Sequence, residues 1–303
     1  MDIRQIKTFL AVAEHLNFTR AAETLRLAQP AVSISIAKLE EALELTLFNR
    51  QGRQITLTAE GEVFLRHARR IVDDLSSAER EMTELKGLVR GEVRIGIPPM
   101  LSSYYFPRVI SDFRVAYPNL NLSVMGQGAG EIQQLIRSGD VDLGVIAGSN
   151  IPDGLEARCF LREEIVACVP QDHALAGRDS LRLEELWREP LILFKQGFYL
   201  REWIDSLQRD LPQTPNVVFE TNLFSLVRSL IREGVGVSAL LRMVVADEPQ
   251  VAAVSFEPPL SLDLHIAWKS DGYLSQANQA FRDFLLERIE SYRQGMVFAN
   301  TEE

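Results

Sequence analysis

The chain has 303 residues, 46% of them hydrophobic and 24% charged, with a formal net charge of −10. That is ordinary globular composition, long enough for two or three domains, and too acidic for a protein that coats nucleic acid indiscriminately. No run of about 18 apolar residues suggests a membrane span, and the charged opening "MDIRQIKTFLAVAEHLNF" lacks a cleavage site, so a cytoplasmic location is expected.

The charge is unevenly spread. Residues 1–57 hold 7 basic and 6 acidic side chains, whereas residues 91–303 hold 19 and 29. A nearly neutral N-terminal segment can still bind phosphates if its Lys and Arg cluster on one face.

Residues 1–57 read as three helices and a hairpin. Ile6, Phe9, Leu10, Ala13 and Leu16 recur at helical spacing. Asn17 or Thr19 is placed to cap a second helix whose inner face is Ala21, Ala22 and Leu25. A third helix starts near Gln29 with Pro30 in its first turn, where a missing N–H costs nothing, and buries Val32, Ile36, Leu39 and Leu43. "LFNRQGRQITLT" then gives two short strands around Gln51 and Gly52. Three helices and a basic hairpin describe a winged helix-turn-helix.

Thr58 caps a long helical run over 58–90. Phe64, Ala68, Ile71, Leu75, Ala78, Met82 and Leu85 alternate steps of four and three, a heptad seam about 45 Å long that favours dimerisation with a second helix.

Residues 91–303 alternate strands and helices, an α/β pattern with mixed sheets. "LEARCFL", "IVACVP", "VAAVSF" and "LDLHIAWK" read as four separate strands. Cys159 and Cys168 are expected as reduced core thiols, with a redox switch as the other reading. Neither they nor the four histidines show metal-ligand spacing, and no nucleophile motif, phosphate loop or paired carboxylate marks an enzyme. No cofactor is expected.

With these pieces in place, the chain resembles the LysR-type transcriptional regulators from Met1 to about Arg293. The resemblance is carried by Phe18, Ala21, Ala22, Gln29, Pro30, Ala31, Ser33, Leu39, Glu40, Leu47, Phe48, Arg50, Leu57, Thr58 and Gly61, and more loosely by "VRIGIP", "GDVDLGV" and "EGVGVS". It implies a two-lobed effector domain of periplasmic-binding-protein type, in which the chain crosses between lobes near 161–164 and near 268–269. Lobe I would be 91–162 and 269–303, and lobe II 163–268. A transport solute-binding protein would share this fold, but the N-terminal module counts against one.

A recognition helix turns its N-terminal residues to base edges in the major groove. Gln29 suits adenine, Pro30 and Ala31 a thymine methyl, and Ser33 either base of a pair. Lys38, Thr19 and Arg20 are placed for phosphates, and Arg50 and Arg53 flank the wing. Ile34 departs from the Arg or Gln common in the family after this serine; it either meets a thymine methyl or joins the core. Paired linker helices imply an inverted-repeat operator, and the resemblance adds a homotetramer, with RNA polymerase as a further partner.

The resemblance places a small-molecule effector at loops after strands: Pro99, Met100, Leu101 and Ser102; Gln127; Phe198, Tyr199 and Leu200; and Asn222 and Leu223, with Asn222 as a helix cap. Pro98, Pro99 and the aromatic residues suggest a partly apolar or aromatic ligand, with a carboxylate met by Lys195 or Arg201. The alternatives on the same fold are an effector-free regulator, recognisable by a cleft filled with side chains, and a thiol redox-responsive one.

Overall fold

The computed structural model describes residues 1–51, 54–85, 91–148, 150–208 and 214–289, in two compact units, 1–88 and 89–303. Gly52, Arg53 and the end of the linker run at 86–90 lie outside the described residues.

The first unit contains α1 (Ile3–His15), α2 (Phe18–Leu25), α3 (Gln29–Leu43), β1 (Phe48–Gln51), β2 (Gln54–Leu57) and α4 (Ala59–Leu85). A capping box starts α1, where Asp2 accepts the Gln5 N–H and the Gln5 side chain accepts the Asp2 N–H. The buried face of α1 is Ile6, Phe9 and Val12. Leu10 and Ala13 are half-buried, and Leu16 is an exposed left-handed cap. The expected stripe is therefore rotated toward Val12. Asn17, not Thr19, caps α2, accepting the N–H groups of Thr19 (2.9 Å) and Arg20 (3.1 Å). Val32, Ile36 and Leu39 of α3 are fully buried with Ala21, Ala22 and Phe48. β1 and β2 pair antiparallel, Phe48 opposite Leu57.

Helix α4 begins as part of this core. The Thr58 hydroxyl accepts the Gly61 N–H (2.9 Å), and a Cβ on Gly61 would run into the Leu47 carbonyl. Phe64 meets Phe9 edge-on at 4.9 Å, and Ala68 is fully buried. The first two seam positions thus pack within their own module. Further along, Ile71, Ala78 and Met82 are exposed and Leu75 is half-buried; Leu85 is the last helical residue.

The second unit is built on two long strands. In chain order it has β3 (Glu92–Ile97), α5 (Pro99–Tyr104), α6 (Phe106–Ala116), β4 (Asn121–Gly126), α7 (Ala129–Ser138), β5 (Leu143–Ala147), β6 (Leu155–Pro170), β7 (Ser180–Leu181), α8 (Leu183–Leu186), β8 (Leu191–Phe194), α9 (Tyr199–Gln208), β9 (Val217–Thr221), α10 (Phe224–Arg232), β10 (Ser238–Leu241), β11 (Val251–Lys269) and α11 (Gln276–Glu287). The main sheet runs β10-β6-β11-β5-β3-β4, with β7 beside β11. β8 and β9 pair in parallel, and Leu191 bridges to Val237 next to β10.

β6 and β11 are antiparallel partners over most of their length, so the four strands expected at 155–170 and 251–269 are two. One end of this ribbon pairs β5 with residues 264–267 of β11; the other pairs β10 with residues 165–168 of β6. The ribbon therefore serves two lobes, and Arg162, Glu163 and Glu164 lie between these pairings on β6. On β11 the passage falls at the register break after Ser255 and up to Asp263. Trp268 and Lys269, expected to mark the second crossing, instead pair with Glu156 and Leu155 in the first lobe.

Aromatic packing anchors the first lobe: Phe113 lies 4.9 Å from Phe281 and 5.2 Å from Phe284, fastening α11 to α6. The motif "GDVDLGV" supplies Asp142, which accepts two hydrogen bonds from Arg94 (2.7 and 3.0 Å) and one from Asn278 (2.9 Å). Removing one partner from such a largely buried pair typically costs about 3–5 kcal/mol.

Candidate DNA-reading helix and effector pocket

Helix α3 presents a polar and apolar strip at its N-terminal end. Gln29, Pro30, Ala31 and Ile34 are exposed, Ser33 is half-buried, and Gln29 Nε2 donates to Ser33 Oγ at 2.9 Å. Ile34 is 56% exposed, which removes the core alternative for it. No side chain caps α3, whose N-cap is Ala28. Thr19, Arg20 and Lys38 are also exposed. Asn17 Oδ1 takes the Thr19 and Arg20 N–H groups, and the side chains of both residues stay exposed. Arg50 lies on β1 opposite Ile55, and Arg53 is outside the described residues.

The second unit holds an apolar pocket of about 60 Å³ between its lobes. Pro98, Pro99, Met100 and Leu101 come from the β3–α5 turn, Ala129 from the start of α7 and Ala147 from the end of β5. The second lobe adds Phe194, Phe198, Tyr199, Leu200, Phe224 and Leu241, and the ribbon adds Leu262 and Leu264. The cleft is largely filled by side chains but keeps this cavity.

Of the expected effector residues, Pro99, Met100, Leu101, Phe198, Tyr199 and Leu200 line the pocket; Ser102, Gln127, Asn222 and Leu223 do not. Ser102 Oγ donates to the Pro99 carbonyl at 2.8 Å. Gln127 is exposed, its side-chain amide lying beside Gly126 O and Glu131 Oε2. Asn222 does not cap α10: the N-cap is Leu223, whose N–H is accepted by Thr221 Oγ1 at 3.0 Å. The residues that sequence reasoning missed, such as Ala147, Leu241, Leu262 and Leu264, are apolar strand residues with the same signature as core.

Within the second lobe, Phe194 and Phe198 stack at 5.4 Å beside the pocket, and contacts between lobes surround it. Tyr104 packs edge-on against Phe224 at 5.7 Å, and its hydroxyl accepts from Arg228, which also faces Glu248 at 3.7 Å. Burial pushes the Tyr104 phenol above its usual range, with Arg228 opposing. A Cβ on Gly128, before α7, would run into the carbonyl oxygen of Gly197, before α9. Arg201 is committed elsewhere, donating to Asp205 (2.8 Å), Glu220 and the Phe194 carbonyl (3.1 Å). It is not the free counter-charge expected for a carboxylate. Lys195 is exposed and outside the wall.

The two cysteines separate in character. Cys159 is exposed and Cys168 fully buried, its thiol pushed up by burial to about 12. They sit nine residues apart on one strand, about 30 Å along it, and a disulfide needs Cα atoms within about 7 Å. An intramolecular bridge between them is excluded in this fold.

Comparison with known proteins decides the family. The model for "Bacterial regulatory helix-turn-helix protein, lysR family" matches residues 3–62, and that for "LysR substrate binding domain" matches residues 86–290. The chain belongs to the LysR family. The "Uncharacterized HTH-type transcriptional regulator YwbI" of Bacillus subtilis (strain 168) is 32% identical over 96% of this chain and 97% of its own. The "Transcriptional dual regulator GltC" of the same organism is 30% identical over 97% of this chain and 100% of its own. Among solved structures, full-length CbnR complexed with its target DNA aligns with a TM-score of 0.68 at 20% identity, over 95% of this chain and 100% of that one, and so shares the fold. This LysR-family chain is a DNA-binding transcriptional regulator with a C-terminal effector-binding domain. Among the described residues, no helix is long and apolar enough to cross a membrane.

Proposed function

We propose that the regulator binds an inverted-repeat, double-stranded operator with α3 in the major groove, and that a small molecule in the interlobe pocket modulates it. Gln29, Pro30, Ala31, Ser33 and Ile34 read bases; Thr19, Arg20 and Lys38 hold phosphates; Arg50 and Arg53 belong to the wing. The exposed strip at the start of α3, with Ile34 uncovered beside the Gln29–Ser33 pair, carries this reading. The exposed second half of the α4 seam supports a homodimer, which assembles to a homotetramer next to RNA polymerase. Regulation is proposed to proceed without catalysis, in the cytoplasm where bacterial DNA lies.

The test is selection of binding sites from random DNA by the full-length chain, repeated with three variants. Gln29→Ala and Ile34→Ala are expected to relax specificity at distinct half-site positions, each costing about 1–3 kcal/mol of discrimination. Lys38→Ala is expected to weaken all sequences alike and to flatten the salt dependence by about one charge. An unchanged base preference in a Gln29→Ala/Ile34→Ala double variant would remove α3 from the reading role.

A further inference from the structure

The wall of the interlobe pocket is hydrocarbon. Met100, Phe194, Phe224, Leu262 and Leu264 surround about 60 Å³, and among the described residues no Lys, Arg, His, Asp or Glu lines it, Tyr199 supplying the one polar side chain. Pro98 and Pro99 remove backbone donors from the nearest turn, and Ser102 and Ser103 donate to the Pro99 carbonyl instead of inward. A hydroxyl or charge placed here loses its water against a wall whose one polar side chain is Tyr199, whereas a hydrocarbon group gains by leaving water. Size sets a second limit. A cavity of about 150 Å³ takes benzene, so this one suits a group of about three carbon atoms.

The surroundings also say where a ligand's polar end goes. Helices α7 and α10 begin beside the pocket, at Ala129 and Phe224, and neither N-cap, Gly128 nor Leu223, offers a side-chain hydrogen bond. Their first N–H groups are donors for an acceptor lying outside the hydrocarbon wall.

We propose that this pocket is a receptor for a small branched hydrocarbon group of isopropyl size, carried by a ligand whose acceptor end stays at the helix N-termini. The proposal rests on reading the cleft as the effector site and narrows what it recognises: the body of the ligand, not its charge, confers selectivity.

Isobutyrate and lactate are suitable probes, because lactate replaces one isobutyrate methyl by a hydroxyl while keeping the carboxylate. Calorimetric titration of the full-length chain is expected to show isobutyrate binding at least about tenfold more tightly than lactate or acetate. Ala147→Leu, which fills the cavity, is expected to bring isobutyrate down to the level of lactate. Met100→Ala, which enlarges it, is expected to shift preference toward the longer isovalerate, a readout that loss of folding cannot mimic. Equal or tighter binding of lactate would overturn the hydrocarbon assignment, and so would no isobutyrate binding at tens of millimolar. Selective binding of isobutyrate that Ala147→Leu abolishes, but that leaves operator affinity unchanged, would keep the receptor and overturn the effector reading.

Discussion

Glu163 is the most perturbed carboxyl group in the passage between lobes. Burial raises its pKa from 4.5 to about 7, against the opposing effects of the Met243 N–H it accepts (3.1 Å) and of Arg242; Glu164 adds to the rise. A folded-state pKa above the unfolded value means the native state holds the proton more tightly. The stabilisation this gives is full below pH 4.5 and is lost as pH rises through about 7. The loss amounts to at most about 3 kcal/mol. Glu163→Gln keeps an acceptor for Met243 and cannot ionise. Its unfolding free energy at pH 8 is expected to exceed that of the wild type, with the two converging near pH 4.5. Parallel stability curves from pH 4.5 to 8 would show that Glu163 is not the group responsible.

Helix α4 combines two kinds of surface. Its first turns give Phe64, Leu65, Ala68 and Val72 to the core of the DNA-binding module, while Ile71 and Met82 stay exposed. The two faces make opposite predictions. Ile71→Glu with Met82→Glu is expected to convert dimers to monomers in sedimentation equilibrium while leaving the near-UV spectrum of the module intact. Ala68→Glu, which buries a charge, is expected to unfold the module itself. Dimers that survive the double change would move the interface elsewhere. Helices of this kind were legible in the sequence because period, caps and breakers agree: Asn17 before α2, Pro30 at the start of α3 and Thr58 before α4 all sit where the structure uses them. The long strands were not. Arg162, Glu163 and Glu164 look like a polar turn and Pro258 and Pro259 like a stop, yet β6 and β11 run through both. Arg162, Glu163 and Glu164 pair with Asp263, Leu262 and Ser261, a long-range pairing with no local signature, while Pro258 and Pro259 fall in the register break between Ser255 and Leu260. The pocket was half legible for a related reason. Aromatic and proline residues in loops invite a binding interpretation, whereas Leu241, Leu262 and Leu264 could not be told from core until the lobes were placed.

Between the lobes, backbone meets backbone where Gly128 faces the Gly197 carbonyl. Gly128→Ala is expected to force the two loops apart at a cost of about 1–3 kcal/mol, typical of overpacking. Faster hydrogen exchange should follow over 96–103 and 194–201, the two sides of the pocket. Unaltered exchange there would mean the loops yield without parting the lobes.

The paired strands β6 and β11 also fix an order of events during synthesis. The first lobe starts earlier in the chain, but its sheet needs residues 264–267 of β11 against β5, and its core needs Phe281 and Phe284 of α11. The second lobe has all of its strands once Phe256 has left the ribosome. The lobe begun second is therefore the first that can close, and β3, β4 and β5 wait as an unfinished half-sheet until the last helix emerges. A ribosome stalled with Phe256 just outside it and residues 264–267 still within would hold a completed second lobe beside an open first one.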